Sequence, residues 1–410
     1  MEKYVVIFFN VCYNIPGKRR YTMNDTICAI STSTGVGAIS IVRVSGDESI
    51  NIVNKIFKGK DLTKVDSHTI NYGHIIDNDT IVDEVLVSIM KAPKTFTTED
   101  IVEINTHGGI APTNKVLELL LENGCRLAEP GEFTKRAFLN GRIDLLEAEA
   151  VMDMIDSKTE NQRKMAANQI SGKTSNLIND LRNDMVQIIS NINVNIDYPE
   201  YDDVDIITND LLIPKITNLK EKITKILKES ENGKMIKEGI KTSIIGRPNV
   251  GKSSLLNALL EEDKAIVTDI AGTTRDIVEG TISVNGILLN MIDTAGIRET
   301  EDVIESIGVE KSKKIMDESD LILFMLNNNE ELTSDIEELF TKIVDKKYLV
   351  LINKNDLETK LDISKLNIDK DRIINLSIIN NQGIDELKNK ISELFKLNEI
   401  ETKDPTYLSN

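Results

Sequence analysis

Residues 241–260 place a strand, a glycine-bounded loop and a helix in direct succession. Lys241 to Ile245 is a β-rich run, the loop Gly246-Arg-Pro-Asn-Val-Gly-Lys-Ser253 follows at once, and Ser254 to Leu260 has helical character. The loop matches G-x-x-x-x-G-K-[ST] at every required position. Because such a loop wraps its backbone N–H groups around phosphates, the sequence predicts an α/β nucleotide-binding domain.

The side chains of this loop have distinct predicted roles. Lys252 supplies a compact positive charge to the β- and γ-phosphates, which makes it a catalytic candidate, and the Ser253 hydroxyl is a predicted magnesium ligand. The other predicted GTP contacts of the segment are Asn249, Val250, Gly251 and Ser254.

Two later motifs stand in the order that a GTPase requires. Asp293-Thr-Ala-Gly296 is predicted to hold magnesium through water and to offer an N–H to the γ-phosphate, with Thr294 and Ala295 alongside. Asn353-Lys354-Asn-Asp356 supplies a carboxylate that accepts two hydrogen bonds from a guanine edge, whereas adenine presents no such donor pair. The predicted nucleotide is therefore GTP. Ser377 is a further expected guanine contact, weakened because Ile378 replaces the usual small residue.

A segment between these motifs has the composition of a nucleotide-dependent switch. It runs Asp269-Ile270-Ala271-Gly272-Thr273-Thr274-Arg-Asp276, follows Thr268, and is predicted to contact GTP, with Thr274 as the second magnesium ligand. Ile297 stands where small GTPases often carry a glutamine that orients water. Since isoleucine can neither orient water nor stabilise charge, catalytic help must come from elsewhere.

Composition restricts the remaining functions. The chain has 410 residues, which predicts two or three domains, and a formal net charge of −18, which argues against a general nucleic-acid-binding surface. No apolar run is long enough to span a bilayer, and the three cysteines form no metal or disulfide pattern. We therefore expect a cytoplasmic protein with no membrane association.

Periodicity predicts three structural regions. An α+β module ends near residue 140, with strands at Ile81 to Met90 and Ile101 to Asn105. Helical stripes follow between residues 144 and 233, and we expect their apolar residues to be core. The first stripe consists of Leu177, Leu181, Met185, Ile188 and Ile192, and the second of Ile216, Leu219, Ile223 and Ile226. From Gly239 the pattern predicts a doubly wound, mostly parallel sheet that includes a hairpin turning at Asn285-Gly286.

Four motifs together resemble one family, the tRNA modification GTPases MnmE (TrmE), over nearly the whole chain from Met23. They are Asp25-Thr-Ile27, Gly131-Glu-Phe-Thr-Lys-Arg-Ala-Phe-Leu-Asn140, Gly272-Thr-Thr-Arg-Asp276 and Asp293-Thr-Ala-Gly-Ile-Arg-Glu299. The resemblance implies a multidomain fold in which an α/β P-loop GTPase domain is inserted in an α-helical domain, after an α+β folate-binding-like domain. The implied regions are an N-terminal extension (1–22), the folate-binding-like domain (23–140), the helical domain (141–238), the GTPase domain (239–394) and the start of the returning helical domain (395–410).

The resemblance also implies the reaction and its participants. The family works as a homodimer with the flavoprotein MnmG, in a heterotetramer, and adds a carboxymethylaminomethyl group to the wobble uridine of certain tRNAs. It implies potassium as well as magnesium, and a formyl- or methylene-tetrahydrofolate. Asn249 and the backbone oxygens of Thr268, Ile270 and Thr273 would hold potassium, and Glu305 would orient the attacking water. Arg43, Glu103 and Arg142 match the family's folate contacts.

One departure leaves alternatives open. Family members continue to a C-terminal Cys-x-Gly-Lys motif, whereas this sequence stops at Asn410, so the terminal lysine's contribution to the folate site is in doubt. A binding protein with impaired catalysis is one alternative. A ribosome-assembly or regulatory switch GTPase of the Era group is another. Such a protein would carry a basic RNA-binding module after the GTPase domain. Residues 24–140 fit a folate-binding domain better than they fit this alternative.

Overall fold

The computed structural model describes residues 25–33, 35–197, 209–262, 278–292 and 316–395. The chain forms two compact units, residues 1–148 and 149–410, and each is considered by itself. The predicted N-terminal extension and the segment from 396 onward lie outside the described residues. None of the described helices is long and apolar enough to cross a membrane.

The first unit is built on a seven-stranded sheet with the order β3-β4-β5-β6-β2-β1-β7, in which only the described β1–β7 pair is parallel. Its strands are β1 (Ile27–Ile30), β2 (Ile39–Ser45), β3 (Phe57–Lys58), β4 (Thr69–Asp77), β5 (Thr80–Met90), β6 (Ile101–His107) and β7 (Arg126–Leu127). Its helices are α1 (Ser49–Ile56), α2 (Ile110–Glu122) and α3 (Glu132–Leu139), with a 3₁₀ turn at Leu62–Lys64.

Alternation along the strands decides which sheet face is buried. On β5, Val85, Val87 and Ile89 point into the core, whereas Leu86 between them is 45% exposed. The same core contains residues of α1 and α2, so both helices cover one face of the sheet. The predicted strands at 81–90 and 101–105 are confirmed as β5 and β6.

Helices open the second unit. They are α4 (Leu145–Asp156), which spans the division between the units, α5 (Glu160–Ile170), α6 (Lys173–Asp197) and α7 (Asn209–Glu238). The helical prediction is confirmed, but the expectation that the apolar stripes are core is wrong for all but one of their nine members, since six are half-buried and two are exposed. Met185 is 42% exposed and Ile216 is 45% exposed, whereas Ile226 is buried. A helix with few packing neighbours buries only one side of its surface, and α6 and α7 behave in this way.

A six-stranded sheet forms the rest of the second unit, with the order β13-β12-β11-β8-β10-β9. The strands are β8 (Ile240–Ile245), β9 (Val278–Val284), β10 (Ile287–Ile292), β11 (Leu321–Asn327), β12 (Tyr348–Asn353) and β13 (Ile373–Asn375). The helices are α8 (Lys252–Glu262), α9 (Ser334–Thr341) and α10 (Ile384–Leu394), with 3₁₀ turns at Ser364–Leu366 and Lys370–Arg372. All described pairs are parallel except β9 with β10, which confirms the predicted mostly parallel sheet.

This sheet is covered on both faces, because separate apolar cores lie on its two sides. Every residue of β11 is buried, as expected of a central parallel strand. Parallel strands bring their carboxyl ends to one edge, and β8, β11 and β12 end there at Ile245, Asn327 and Asn353. Ligands of open α/β sheets bind at this edge, and the candidate site is found there.

Candidate functional site

Two glycines fix the path of the loop that joins β8 to α8. A Cβ on Gly246 would collide with the carbonyl oxygen of Met325 in β11. Gly251 has φ +103°, and a Cβ there would lie 2.5 Å from Nδ2 of Asn353. Both positions therefore exclude larger residues, the first through close packing and the second also through its backbone conformation.

Lys252 opens α8 and turns back over the loop. Its Nζ donates to the carbonyl oxygens of Gly246 at 2.6 Å and Arg247 at 3.1 Å. Burial lowers the pKa of the Lys252 ammonium from its ordinary value. The ammonium is thus held at the mouth of the loop, beside the positive end of the α8 dipole, which is an arrangement suited to an anion.

The remaining loop residues present polar groups at the surface. Asn249 is exposed and has φ 62°, the left-handed conformation that asparagine tolerates. Ser253 and Ser254 are exposed in the first turn of α8, whereas Val250 is buried. The two glycines, Lys252 and the N-terminus of α8 fit the phosphates of a nucleoside triphosphate. The exposed hydroxyl of Ser253 fits a hard cation such as magnesium.

The predicted guanine motif is connected to the phosphate loop by direct hydrogen bonds. Asn353 is buried, and its Nδ2 donates to the carbonyl oxygen of Val250 at 2.9 Å. Its Oδ1 accepts from the backbone N–H of Ile378 at 3.4 Å. Because the backbone of residue 378 makes this bond, its isoleucine side chain does not prevent it. The guanine motif and the phosphate loop are therefore connected by a direct hydrogen bond.

Ser377 orients the predicted guanine-reading carboxylate. Its hydroxyl is buried and donates to Oδ1 of Asp356 at 2.7 Å, while Asp356 itself is exposed at the sheet edge. Lys354, with φ 59°, makes the sharp turn that separates Asn353 from Asp356. The structure thus brings the described members of the predicted GTP site together: Asn249, Val250, Gly251, Lys252, Ser253, Ser254, Asn353, Lys354 and Asp356.

The other predicted GTP-site residues lie outside the described residues. They are Thr268, Asp269, Ile270, Ala271, Gly272, Thr273, Thr274, Asp293, Thr294, Ala295, Gly296 and the predicted catalytic Glu305. Only Asn249 of the predicted potassium ligands and only Ser253 of the predicted magnesium ligands are therefore described.

Two of the three predicted folate contacts pair with each other in the first unit. Arg43 and Glu103 are register partners on β2 and β6. The Nε of Arg43 donates to Oε1 of Glu103 at 2.8 Å, and a second guanidinium nitrogen lies 2.7 Å from the same oxygen. The guanidinium also lies 5.5 Å from the ring centroid of Phe133 in α3.

Arg142 has a separate set of contacts just after α3. Its guanidinium donates to the carbonyl oxygen of Phe96 at 2.8 Å and lies 5.1 Å from the centroid of the Phe96 ring. The side chain is exposed. Arg142 therefore presents a cation at the surface, held by the loop between β5 and β6.

An ion-pair network in the same unit was missed by the sequence interpretation. Arg136 is buried and bonds to Asp25 at 2.7 Å, Glu99 at 3.1 Å and Glu132 at 3.2 Å. Arg126 bonds to Asp25 and Glu132 as well. The spacing of Glu132 and Arg136, four residues apart on a helix, was the available signal. The other partners are too distant in sequence to be found from one chain.

The charges in this network change how the carboxyl groups titrate. Burial alone would raise the pKa of Asp25, but hydrogen bonding and the positive charge of Arg126 and Arg136 outweigh it and lower that pKa. Burial would likewise raise the pKa of Glu132. Its hydrogen bonds, of which the bond with Arg126 has the largest effect, outweigh burial and lower that pKa. The arginine partners therefore favour the ionised form of both carboxyl groups.

Comparison with known proteins identifies the family. Residues 26–142 match the family model described as GTP-binding protein TrmE N-terminus, and residues 145–410 match the MnmE helical domain. The tRNA modification GTPase MnmE of Bacillus cytotoxicus is 57% identical over 390 residues, covering 94% of this chain and 85% of the relative. The chain belongs to the MnmE family.

Further matches include a second relative and a solved structure. The MnmE of Bacillus anthracis is also 57% identical, over 391 residues. Among solved structures, the Aquifex aeolicus Era bound to GDP and aluminium fluoride is 32% identical, with a TM-score of 0.28, and covers 38% of this chain and 56% of its own. As an MnmE-family member the chain is an enzyme, a GTPase. The match over residues 26–142 also accounts for a unit that the Era-group alternative does not explain.

Proposed function

We propose that the chain hydrolyses GTP to drive, with an MnmG-type flavoprotein, the addition of a carboxymethylaminomethyl group to the wobble uridine of tRNA. The observation that carries this proposal is the 57% identity that extends over 94% of the chain, and so includes both units. These relatives are tRNA modification GTPases, which supplies the substrate class.

Residues of the chain itself position the nucleotide in this proposal. The ammonium of Lys252 and the α8 terminus hold the phosphates, and Asp356, oriented by Ser377, accepts hydrogen bonds from the guanine edge. The bond from Asn353 to Val250 keeps the two ends at a fixed separation. We propose Glu305 as the residue that orients the attacking water, because Ile297 has no group for this task.

Two cations belong to the proposed site. Ser253 and Thr274 would hold magnesium, while Asn249, Thr268, Ile270 and Thr273 would hold potassium. When bound, these cations neutralise charge that develops on the phosphate oxygens. Asn249 supports the potassium assignment because its side chain is exposed on the phosphate loop.

We also propose a tetrahydrofolate one-carbon donor for the first unit, bound with the help of Arg43, Glu103 and Arg142. The exposed guanidinium of Arg142 suits a ligand carboxylate. Arg43 already pairs with Glu103, so a ligand carboxylate reaching Arg43 must share it with that residue. The pair therefore fits the polar edge of a pterin better than it fits a second carboxylate.

The proposal includes the assembly that the family implies. We propose a homodimer that binds the flavoprotein in a heterotetramer, meets tRNA together with that partner, and acts in the cytoplasm. The inserted arrangement of the GTPase domain within the helical domain is part of the same proposal.

Complementation of a strain that lacks the modification enzyme tests the proposal. The wild-type chain should restore the modified wobble uridine, measured by mass spectrometry of tRNA nucleosides, and purified protein should hydrolyse GTP faster in potassium than in sodium. Asn249→Ala should slow hydrolysis while guanine-nucleotide affinity changes little. Potassium-stimulated hydrolysis without restored modification would contradict the tRNA-modification part of the proposal. GTP binding without hydrolysis would favour the alternative of a GTP-binding protein with impaired catalysis. Unchanged potassium stimulation in Asn249→Ala would refute the cation assignment.

A further inference from the structure

The β9–β10 hairpin connects, in sequence, the two segments that carry predicted contacts to the γ-phosphate side of GTP. Val278 begins β9 shortly after Thr274, and β10 ends at Ile292, directly before Asp293. The pairing of the two strands is irregular between Met291 and Ile292, at this same end. The hairpin is therefore attached covalently to both predicted nucleotide-sensing segments at one end, and its turn lies at the other.

The turn packs against helix α5. Asn285 and Gly286 have φ 49° and 80°, the conformation of a tight two-residue turn. A Cβ on Gly286 would lie 2.6 Å from Nδ2 of Asn161, so the turn backbone rests directly on that side chain. Asn285 also donates through Nδ2 to the hydroxyl of Ser392 in α10, which is fully buried. The turn is thus fixed on both sides.

The body of the hairpin shares an apolar core with the helices. Met165 of α5 and Ile236 of α7 belong to the same buried cluster as Ile282, Val284 and Ile287 of the hairpin. Close-packed interfaces of this kind shift between discrete arrangements and do not deform continuously. A displacement of the hairpin must therefore be accommodated by α5 and α7.

Polar contacts join α5 and the hairpin to the end of α7. The Gln162 side chain caps α5 and donates through Nε2 to the carbonyl oxygen of Lys237 at 3.0 Å. Asn290 of β10 donates to the carbonyl oxygen of Glu238 at 2.6 Å. The last residues of α7, which lead directly into β8, are held from both sides. Helix α5, the end of α7 and the hairpin therefore form one joint.

We propose that this joint transmits the nucleotide state of the GTP site to helix α5, and that the contact between Asn161 and Gly286 carries the coupling. The inference rests on the proposed GTP site, because only a bound nucleotide would change the position of strands β9 and β10. It adds a defined route by which GTP binding and hydrolysis act on the helical part of the unit.

Hydrogen exchange in the full chain tests the route. In the wild type, peptides covering α5 should differ in exchange between the GDP-bound and the non-hydrolysable GTP analogue-bound states. Asn161→Ala removes the amide that rests on Gly286, and we expect it to reduce this difference at least about threefold. The steady-state rate of GTP hydrolysis should stay within about twofold, since the variant leaves the nucleotide contacts intact. Lys164→Ala, exposed on the same helix, is the matched control and should behave as wild type.

The outcomes separate this inference from the proposed function. Titration with a fluorescent guanine nucleotide comes first, and absence of binding would contradict both. If nucleotide binds but α5 shows no state-dependent exchange in the wild type, or if Asn161→Ala retains the full difference, the coupling route is wrong while the GTP site stands. Gly286→Ala, which introduces a side chain against Asn161, should also reduce the difference, and full retention there would oppose the inference independently.

Discussion

At the level of single residues, the phosphate loop depends on contacts that its motif only partly reveals. The sequence predicted Lys252 and Gly251 from the spacing alone. It could not predict that Nδ2 of Asn353 reaches the carbonyl oxygen of Val250, because these residues are 103 positions apart and meet only when β8 and β12 share a sheet. Nor could it predict that Met325 closes the space beside Gly246.

Asp356→Asn should shift the base preference of the site from guanine towards xanthine. The Asp356 carboxylate can accept hydrogen bonds from the N1–H and the exocyclic amine of guanine. An asparagine amide accepts one hydrogen bond and donates one, which matches xanthine, because xanthine donates through N1–H and accepts through its C2 carbonyl. We expect GTP affinity to fall by at least about 100-fold, because both charge-assisted hydrogen bonds to guanine are lost, and affinity for xanthosine triphosphate to rise. Competitive nucleotide titration measures both.

The control for this substitution is Asp362→Asn, an exposed aspartate whose carboxylate accepts from the backbone of Ser364. It should leave both nucleotide affinities unchanged. An Asp356→Asn variant that binds GTP as tightly as the wild type would contradict the assignment of the guanine contact.

Gly251→Ala should weaken nucleotide binding through the loop backbone. The new Cβ would lie 2.5 Å from Nδ2 of Asn353 at a φ of +103°, so the bond from Asn353 to Val250 cannot survive unchanged. We expect affinity for GTP to fall at least about tenfold, measured by calorimetric titration. Gly280→Ala meets nothing within 4 Å and serves as the control. Equal affinities for the two variants would show that the close approach at Gly251 is unimportant.

At the level of elements, the sequence predicted the features that depend only on residues close together in the chain. The strand, loop and helix at 240–262 and the hairpin turn at Asn285-Gly286 follow from local spacing, and the structure has both. The burial of the helical stripes did not follow, because it depends on how many neighbours pack against α6 and α7. The Arg136 network escaped prediction for the same reason, since Asp25 is 111 residues away.

Arg136→Met should destabilise the first unit in a pH-dependent manner. The variant removes one positive partner from the buried carboxylate of Glu132, which keeps Arg126, and from the half-buried carboxylate of Glu99. Breaking a fully buried pair typically costs about 3–5 kcal/mol at neutral pH, which is the upper limit expected here. Hydrogen exchange of peptides from β1, β2 and β6 in the full chain measures the local free energy of opening. Lys135→Met, at the exposed neighbouring position, should change it little.

The sign of the pH dependence follows from the lowered pKa values of Asp25 and Glu132. Their ordinary values are 3.8 and 4.5, so in the wild type the stability from these pairs is fully present above about pH 5 and is lost as pH falls through the lowered native values. In Arg136→Met, protonation relieves the unpaired charge, so the deficit relative to wild type should shrink below about pH 4.5. A deficit that stays constant with pH would indicate lost packing instead of lost pairing.

At the level of the whole molecule, the sequence indicated separate helical and GTPase regions. Residues 149–410 form one compact unit, because Met165 and Ile236 of the helices enter the core of the six-stranded sheet. The sequence cannot predict this shared core, because an apolar helix residue gives the same sequence pattern whichever surface it packs against. The predicted boundary at residues 238 and 239 stays a prediction, although β8 does begin immediately after it, at Ile240.

The proposed function depends most on a site that recognises guanine and uses a cation to hydrolyse GTP. Initial rates of phosphate release from GTP and from ATP, measured side by side in potassium and in sodium buffers with magnesium present, test this most directly. We predict that kcat/KM for GTP exceeds that for ATP at least about 100-fold, and that potassium raises the rate with GTP. Equal turnover of the two nucleotides, or no turnover of GTP in either buffer, would contradict the account.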